Sequence, residues 1–270
     1  MLLFDAVSYR YAGYAKNVLH DIDLKLDDGE IVGVVGANEA GKSTLCLVAS
    51  GLAPGSIGGG LSGTVSIDGE SMAGRPLYEF ATRVGIGFQN PTTQLSGVTG
   101  TVFEEVALGP MNLGLSARDT VARTKTALAM LDIGALAERE PRRLSGGQAQ
   151  LVVIASLLAM RPAHLVLDEP TAQLDPEGTR LVGAALRDLA ASGTAMLVVE
   201  HKTDLLDGLC SRILVIDDGR IALDGPAHEV LADSRLETLG VEAPSRVRLT
   251  RAVVARGLDP AVLGKPGITA

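Results

Sequence analysis

Residues 36–43 read Gly36-Ala37-Asn38-Glu39-Ala40-Gly41-Lys42-Ser43. They fit the phosphate-binding pattern G-x-x-x-x-G-K-[ST] at every fixed position. The apolar run Ile31-Val32-Gly33-Val34-Val35 comes directly before it, and the helix-compatible residues 44–49 follow. Strand, glycine-rich loop, helix is the setting in which backbone amides surround phosphate oxygens at a helix N-terminus. A bound nucleoside triphosphate is therefore expected, with Gly36, Asn38, Gly41, Lys42, Ser43 and Thr44 as its contacts. Lys42 is a compact cation able to reach the β- and γ-phosphates, and the Ser43 hydroxyl is placed to ligate Mg²⁺. Thr44, one residue into the helix, offers its amide and hydroxyl to the α-phosphate side. Glu39 is the irregular member: a carboxylate in a phosphate cradle repels the ligand unless it points to solvent, which is the expectation here.

Composition sets the frame. The chain has 270 residues, enough for one large domain or a domain with a subdomain. Hydrophobic residues make up 46% but aromatics only 3%, with no Trp, so the core must be aliphatic. A net charge of −8 with a pI near 5.1 argues against the basic face that nucleic acid requires. Cys46 and Cys210 lie far apart in sequence, and Cys46 falls on the apolar stretch after the phosphate loop, where a buried thiol fits better than a disulfide or a metal ligand. The first residues lack the basic and long apolar regions of a signal peptide. The longest apolar stretch, residues 151–160, ends at Arg161-Pro162 and falls short of a membrane span. A cytosolic protein is expected, reaching a membrane only through a partner.

Short β-branched runs at 31–35, 65–67, 165–167, 196–199 and 213–216 read as buried strands. All but the run at 65–67 are separated by helical patterns, which favours a mostly parallel, layered α/β sheet. Residues 55–63 are glycine-rich and read as a turn region before the strand 65–67, which ends in a tight turn at Asp68-Gly69. Between 92 and 162 strand signals vanish and residues 101–108, 117–131 and 147–159 look helical, which marks an inserted helical subdomain. The expected division is a core of residues 1–91 and 163–239, the helical subdomain 92–162, and a tail 240–270 with a helical pattern at 247–256 followed by Gly257 and Pro260.

Two further motifs carry chemistry. Leu144-Ser145-Gly146-Gly147-Gln148 stands directly before a long helical pattern, so Ser145 can cap that helix while the glycines let backbone approach an anion. Leu165-Val166-Leu167-Asp168-Glu169 is an apolar strand ending in two carboxylates. Asp168 suits Mg²⁺ through water, and Glu169 suits the orientation of an attacking water.

With these motifs in this order, residues 3–235 resemble the nucleotide-binding subunit of an ABC transporter. The resemblance implies a P-loop NTPase layered sheet with an antiparallel β portion and the helical insertion. It makes Tyr11 the aromatic that stacks on adenine, with Tyr9 and Tyr14 as alternatives and a plain edge-strand aromatic as the simpler reading. It makes Gln89 the loop glutamine that meets Mg²⁺ and the attacking water, Asp175 the residue of the loop joining two subunits, and His201 the switch histidine at the γ-phosphate. It further implies a dimer that sandwiches two ATP molecules head to tail, so that Leu144, Ser145, Gly146, Gly147 and Gln148 face the partner's nucleotide. A capped helix start is an anion site, in keeping with that arrangement.

The segment from Phe88-Gln89-Asn90-Pro91 through residues 101–115 is similar to the ATPases of energy-coupling-factor (ECF) uptake systems, the cobalt and nickel branch included. That likeness implies ATP and Mg²⁺ as cofactors, a second ATPase subunit (identical or different), an integral membrane coupling subunit, a separate substrate-binding membrane subunit, no nucleic acid, and a place on the cytoplasmic face of the membrane. Ala149 and Leu151 depart from the family, which has basic residues there. The alternatives are another ABC importer or a non-transport ABC ATPase acting on nucleic acid. Residues 94–115 are expected to receive a helix of the membrane partner, with Val102, Phe103 and Val106 exposed and Glu104 and Glu105 at the rim. The competing reading turns those apolar residues into the subdomain's own core.

Overall fold

The computed structural model describes residues 1–259 of the chain. Pro260, at the end of the tail pattern, lies outside the described residues. The strands are β1 (Leu2–Arg10), β2 (Leu19–Leu26), β3 (Ile31–Val35), β4 (Gly60–Ile67), β5 (Glu70–Ser71), β6 (Val84–Gly87), β7 (His164–Asp168), β8 (Ala195–Val199), β9 (Arg212–Asp217) and β10 (Arg220–Pro226). The long helices are α1 (Lys42–Ala49), α4 (Val102–Asn112), α5 (Ala117–Met130), α6 (Gly146–Met160), α7 (Pro176–Ala191), α8 (Thr203–Leu209) and α10 (Ser245–Ala255). Single turns α2 (Leu52–Gly55), α3 (Tyr78–Ala81) and α9 (Ala227–Val230) complete the set.

Two sheets form. One has six strands in the order β10-β9-β3-β8-β7-β6, parallel except at the β9–β10 hairpin. The other is antiparallel, in the order β2-β1-β4-β5. Every residue of β3, β7 and β8 is buried, as expected for parallel strands covered on both faces. Helix α1 lies between the sheets: Leu45, Cys46, Val48 and Ala49 share one apolar cluster with Phe4, Leu24, Val32, Val34, Leu197 and Leu214. The opposite face of the six-stranded sheet packs on α6, α7 and α8 in a second cluster that continues into the helical subdomain. Burying each of these aliphatic side chains contributes about 1.5–3 kcal/mol relative to exposure.

Residues 92–162 contain no strand, as their sequence indicates. Helix α4 begins at a capping box, in which the Thr101 hydroxyl accepts from the Glu104 amide while the Glu104 carboxylate accepts from the Thr101 amide. The structure corrects the expected groove here. Val102 and Val106 are fully buried, and so is most of Glu105, whose carboxylate accepts from the Ser96 amide at 2.6 Å, the Ser96 hydroxyl at 2.7 Å and the Thr99 hydroxyl at 2.5 Å. The i, i+4 valines thus face the subdomain's own core. Only Phe103 and Glu104 of the five named residues reach the surface. Ala149 is buried and Leu151 packs against the core cluster, so apolar residues at these two positions join the interior. The glycine-rich stretch is also more regular than its composition indicates, because β4 already begins at Gly60 and pairs with Arg10 of β1.

Candidate functional site

In a parallel sheet the loops that leave the strand C-termini lie on one edge, where open α/β folds place ligands. Four neighbouring strands, in the order β3-β8-β7-β6, bring four loops together: the phosphate loop after β3, His201 after β8, Glu169 after β7 and Gln89 after β6. Together with Val18, Asn38, Glu39, Gly41, Lys42, Ser43 and Thr44, the last three residues line a cleft of about 470 Å³.

The loop is locked by its own backbone. A Cβ on Gly36 would run into the Ile216 carbonyl of β9, so only glycine fits there. Gly41, in the left-handed region at φ 106°, caps α1. The Lys42 ammonium is largely buried and donates to the carbonyls of Gly36 at 2.8 Å and Ala37 at 2.6 Å. Burial lowers its pKa, while Glu169 and Asp168 act in the opposite sense. Glu39 is exposed, as expected, in a left-handed backbone conformation at the rim of the cleft.

The two carboxylates of β7 diverge in environment. Asp168 is buried, and its Oδ1 has no hydrogen-bond partner. Burial raises its pKa and Glu169 adds to the rise, with Ser43 and Lys42 opposing. Glu169 instead turns into the cleft, where it accepts from Gln89 Nε2 at 2.8 Å and meets His201 Nε2 at 3.0 Å. Gln89 and His201, 112 positions apart in the chain (201 − 89), therefore share the Glu169 carboxylate. Cys46 lies fully buried beneath this edge, and burial pushes its thiol well above the ordinary range, in keeping with a structural thiol.

Behind the site is a network the sequence did not single out. Glu200 is buried and accepts from the Thr171 amide and hydroxyl and from the amides of His201 and Lys202. Lys202 Nζ donates to the carbonyls of Thr171 and Leu174 and to the Thr179 hydroxyl. These bonds tie the loop carrying Asp175 to the strand end carrying His201. Asp175 itself caps α7, its carboxylate accepting from the Gly178 amide at 2.7 Å. The only hint in the sequence was a Glu and a Lys flanking His201. Val18, on the turn between β1 and β2, gave no signal at all.

Tyr11 is held by its hydroxyl against Thr44 Oγ1 at 3.0 Å, beside the phosphate loop. Its ring meets Tyr9 edge-on at 5.0 Å between centroids and Tyr14 at 5.8 Å. Tyr9 is fully buried and bonded to the Gly58 carbonyl, which removes it as an alternative stacking residue. Tyr14 is 65% exposed.

Ser145 caps α6, and Gln148 completes its capping box. Ser145 and Gly146 are exposed, and none of residues 144–148 lines the cleft of the same chain. The structure thus gathers the phosphate loop, Asp168, Glu169, Gln89 and His201 at one point and leaves Leu144, Ser145, Gly146, Gly147 and Gln148 elsewhere on the surface.

The model of the family described as ABC transporter matches residues 19–172, more than half of the chain. A putative ABC transporter ATP-binding protein of Pyrococcus abyssi is 39% identical over 254 residues, covering 93% of this chain and 90% of that protein. The energy-coupling factor transporter ATP-binding protein EcfA of Methanosphaera stadtmanae is 40% identical over 220 residues, covering 81% and 77%. Among solved structures, cbiO1 of Clostridium perfringens, part of the ABC transporter complex cbiONQ, superposes with a TM-score of 0.76 at 28% identity, covering 94% of each chain. The family match over more than half of the chain and these relatives, on a fold whose sheet edge carries a phosphate-binding loop pattern and two carboxylates, lead to one conclusion: the chain belongs to the ABC transporter family, as an ATP-binding, ATP-hydrolysing subunit.

Proposed function

We propose that this chain energises an ECF-type uptake system, importing a metal ion or a vitamin, as one half of a dimer that closes on two ATP molecules. The observation that carries the catalytic part is the Glu169 carboxylate, fixed by Gln89 and His201 at the mouth of the phosphate loop. In this reading the amides of the loop and Lys42 hold the β- and γ-phosphates, Thr44 the α-phosphate, and Tyr11 the adenine. Glu169 orients and deprotonates the attacking water, and His201 contacts the γ-phosphate.

The donor set fits Mg²⁺, a hard cation that prefers oxygen. Asp168 Oδ1 is buried without a partner, the Ser43 hydroxyl is exposed beside it, and the Gln89 amide donates through nitrogen, leaving its carbonyl oxygen free. When bound, the ion would neutralise phosphate charge.

What the cleft lacks supports the dimer in this reading. Lys42 is the sole Lys or Arg among the described residues that line it, whereas the exposed start of α6 is a capped helix N-terminus with an affinity for anions. Two copies, or this chain and a related ATPase, set each helix start on the other's γ-phosphate. Asp175 then lies on the loop that passes between subunits.

The ECF assignment is supported by the EcfA relative and by the run after Gln89. No helix of the described residues is long and apolar enough to cross a membrane; in this reading separate membrane subunits receive the coupling, with this chain on their cytoplasmic side. The receiving face is a groove of about 720 Å³ at α4 and α5, with Val98 82% and Met111 60% exposed. A groove of this kind receives an amphipathic helix by apolar anchors. Introducing Val98→Glu and Met111→Glu together should leave ATP hydrolysis by the isolated chain intact and abolish co-purification of the membrane subunits. Undiminished co-purification would move the contact elsewhere.

A further inference from the structure

The segment after the second sheet edge is not a loose appendage. Leu236, Val241, Ala243 and Val247 are buried in the same apolar cluster as Leu206 and Val215. A helical turn ends at Gly240 in a Schellman motif: the Gly240 amide donates to the Glu237 carbonyl at 3.1 Å and the Val241 amide to the Leu236 carbonyl at 3.1 Å. Gly240 takes the left-handed φ of +74° that such a cap requires.

This cap stands against the phosphate loop. A Cβ on Gly240 would lie 2.9 Å from Ala37 Cβ, 3.4 Å from its Cα and 3.8 Å from its nitrogen. Ala37 is the residue whose carbonyl accepts from the Lys42 ammonium at 2.6 Å. The same segment also holds the helix that follows His201, because Thr203 Oγ1 donates to the Glu242 carbonyl at 2.9 Å and Asp204 accepts from both the Ser245 amide and hydroxyl at 2.8 Å.

We propose that Gly240 is a positioning residue for ATP binding: the C-terminal segment braces the phosphate loop at Ala37 and so sets the carbonyl that aims Lys42. The inference rests on the nucleotide site proposed above. Close packing of cap on loop needs glycine for two separable reasons, the backbone angle and the missing Cβ. Asparagine separates them, since it tolerates the left-handed region but carries a Cβ.

The chain supplies its own control. Gly257 ends α10 in the same motif, with its amide on the Val254 carbonyl at 2.9 Å and the Leu258 amide on the Val253 carbonyl at 3.1 Å. It has φ +71° and, among the described residues, nothing within 4 Å of where its Cβ would stand. The experiment compares Gly240→Asn with Gly257→Asn in the full chain, reading KM for ATP, kcat and Tm. A loop displaced by a few tenths of an ångström should raise KM roughly five- to tenfold in Gly240→Asn with a smaller change in kcat, while Gly257→Asn stays at the wild-type KM. Adding Ala37→Gly to Gly240→Asn removes the 2.9 Å contact and should bring KM back toward that of Ala37→Gly alone. If Gly240→Asn does not fold, Gly240→Ala and Gly257→Ala make the same comparison with one methyl each. Equal KM in the two glycine variants, or no return on adding Ala37→Gly, overturns the brace. Failure of the underlying site reading is distinct, for then Lys42→Ala would bind ATP normally.

Discussion

Exchanging Glu169 for Gln keeps the shape of the side chain and removes its charge and its basicity. The wild-type carboxylate offers one oxygen to Gln89 at 2.8 Å and the other to His201 at 3.0 Å. An amide has one oxygen, so one of the two contacts is lost or faces a donor. More important, the proposed mechanism is left with no base to take a proton from the attacking water. Loss of a general base costs about 10²- to 10⁴-fold in rate, which at 1.36 kcal/mol per decade is about 2.7–5.4 kcal/mol of transition-state stabilisation. Nucleotide binding should not weaken, because the exchange removes a negative charge from a cleft that receives phosphates and whose rim already carries Glu39. The assay pairs steady-state ATP hydrolysis with direct nucleotide binding and with size-exclusion chromatography in ATP, where the dimer should accumulate. Gln89→Ala and His201→Ala each remove one bond that aims the carboxylate, worth about tenfold apiece, and both effects should shrink in the Glu169→Gln background because the shared carboxylate is gone. Hydrolysis within a few-fold of wild type in Glu169→Gln would refute the catalytic assignment.

Lys42→Ala should weaken ATP binding itself by at least about tenfold, since the phosphates lose a charge-assisted partner; isothermal titration reads this directly. Asp168→Asn should raise Tm of the nucleotide-free protein at neutral pH. The folded-state pKa of Asp168 lies above the ordinary carboxylate value, so its stabilising contribution is present at low pH, where it is protonated, and lost as pH rises through the folded value; the Tm advantage of Asn should therefore vanish on acidification. The same variant should lose Mg²⁺-dependent hydrolysis by about 10²-fold or more, and a Tm below wild type at pH 7 would contradict the reasoning. Glu105→Ala removes a buried carboxylate with three donors at the start of the helical subdomain and should cost about 2–4 kcal/mol, seen as a Tm lowered by roughly 5–10 °C.

Much of this was legible because the motifs sit on strands that announce themselves. The runs at 31–35, 165–167, 196–199 and 213–216 became the buried stretches of β3, β7, β8 and β9, as a doubly covered sheet demands. The antiparallel sheet was legible only in part: the run at 65–67 fell in β4 and the resemblance implied an antiparallel portion, but β1 and β2 escaped. From Ile22 on, β2 alternates Ile22, Leu24 and Leu26 inward with Asp23 and Lys25 turned toward solvent, a short period-two signal that a search for β-branched runs passes over. β1 breaks its own alternation at a register shift between Phe4 and Val7. Helix α4 shows a different limit: Val102, Glu105 and Val106 look like a mixed surface in sequence, yet Glu105 is satisfied by local donors that only the fold of residues 96–99 supplies. The pairing of Glu200 with Thr171 and the contact of Gly240 with Ala37 span distant segments and leave no periodicity to read.

The aromatic poverty of the chain has an optical consequence. With no Trp, ultraviolet emission from the protein is tyrosine fluorescence, and three of its four tyrosines, Tyr9, Tyr11 and Tyr14, form one contiguous cluster whose middle member is bonded to Thr44 of the phosphate loop. The fourth, Tyr78, is 73% exposed on a separate turn. Rings 5.0 and 5.8 Å apart exchange excitation readily, so most of the intrinsic signal originates beside the nucleotide cleft. The chain carries a built-in spectroscopic reporter there, free of any introduced label, and Tyr78→Phe strips away its chief background.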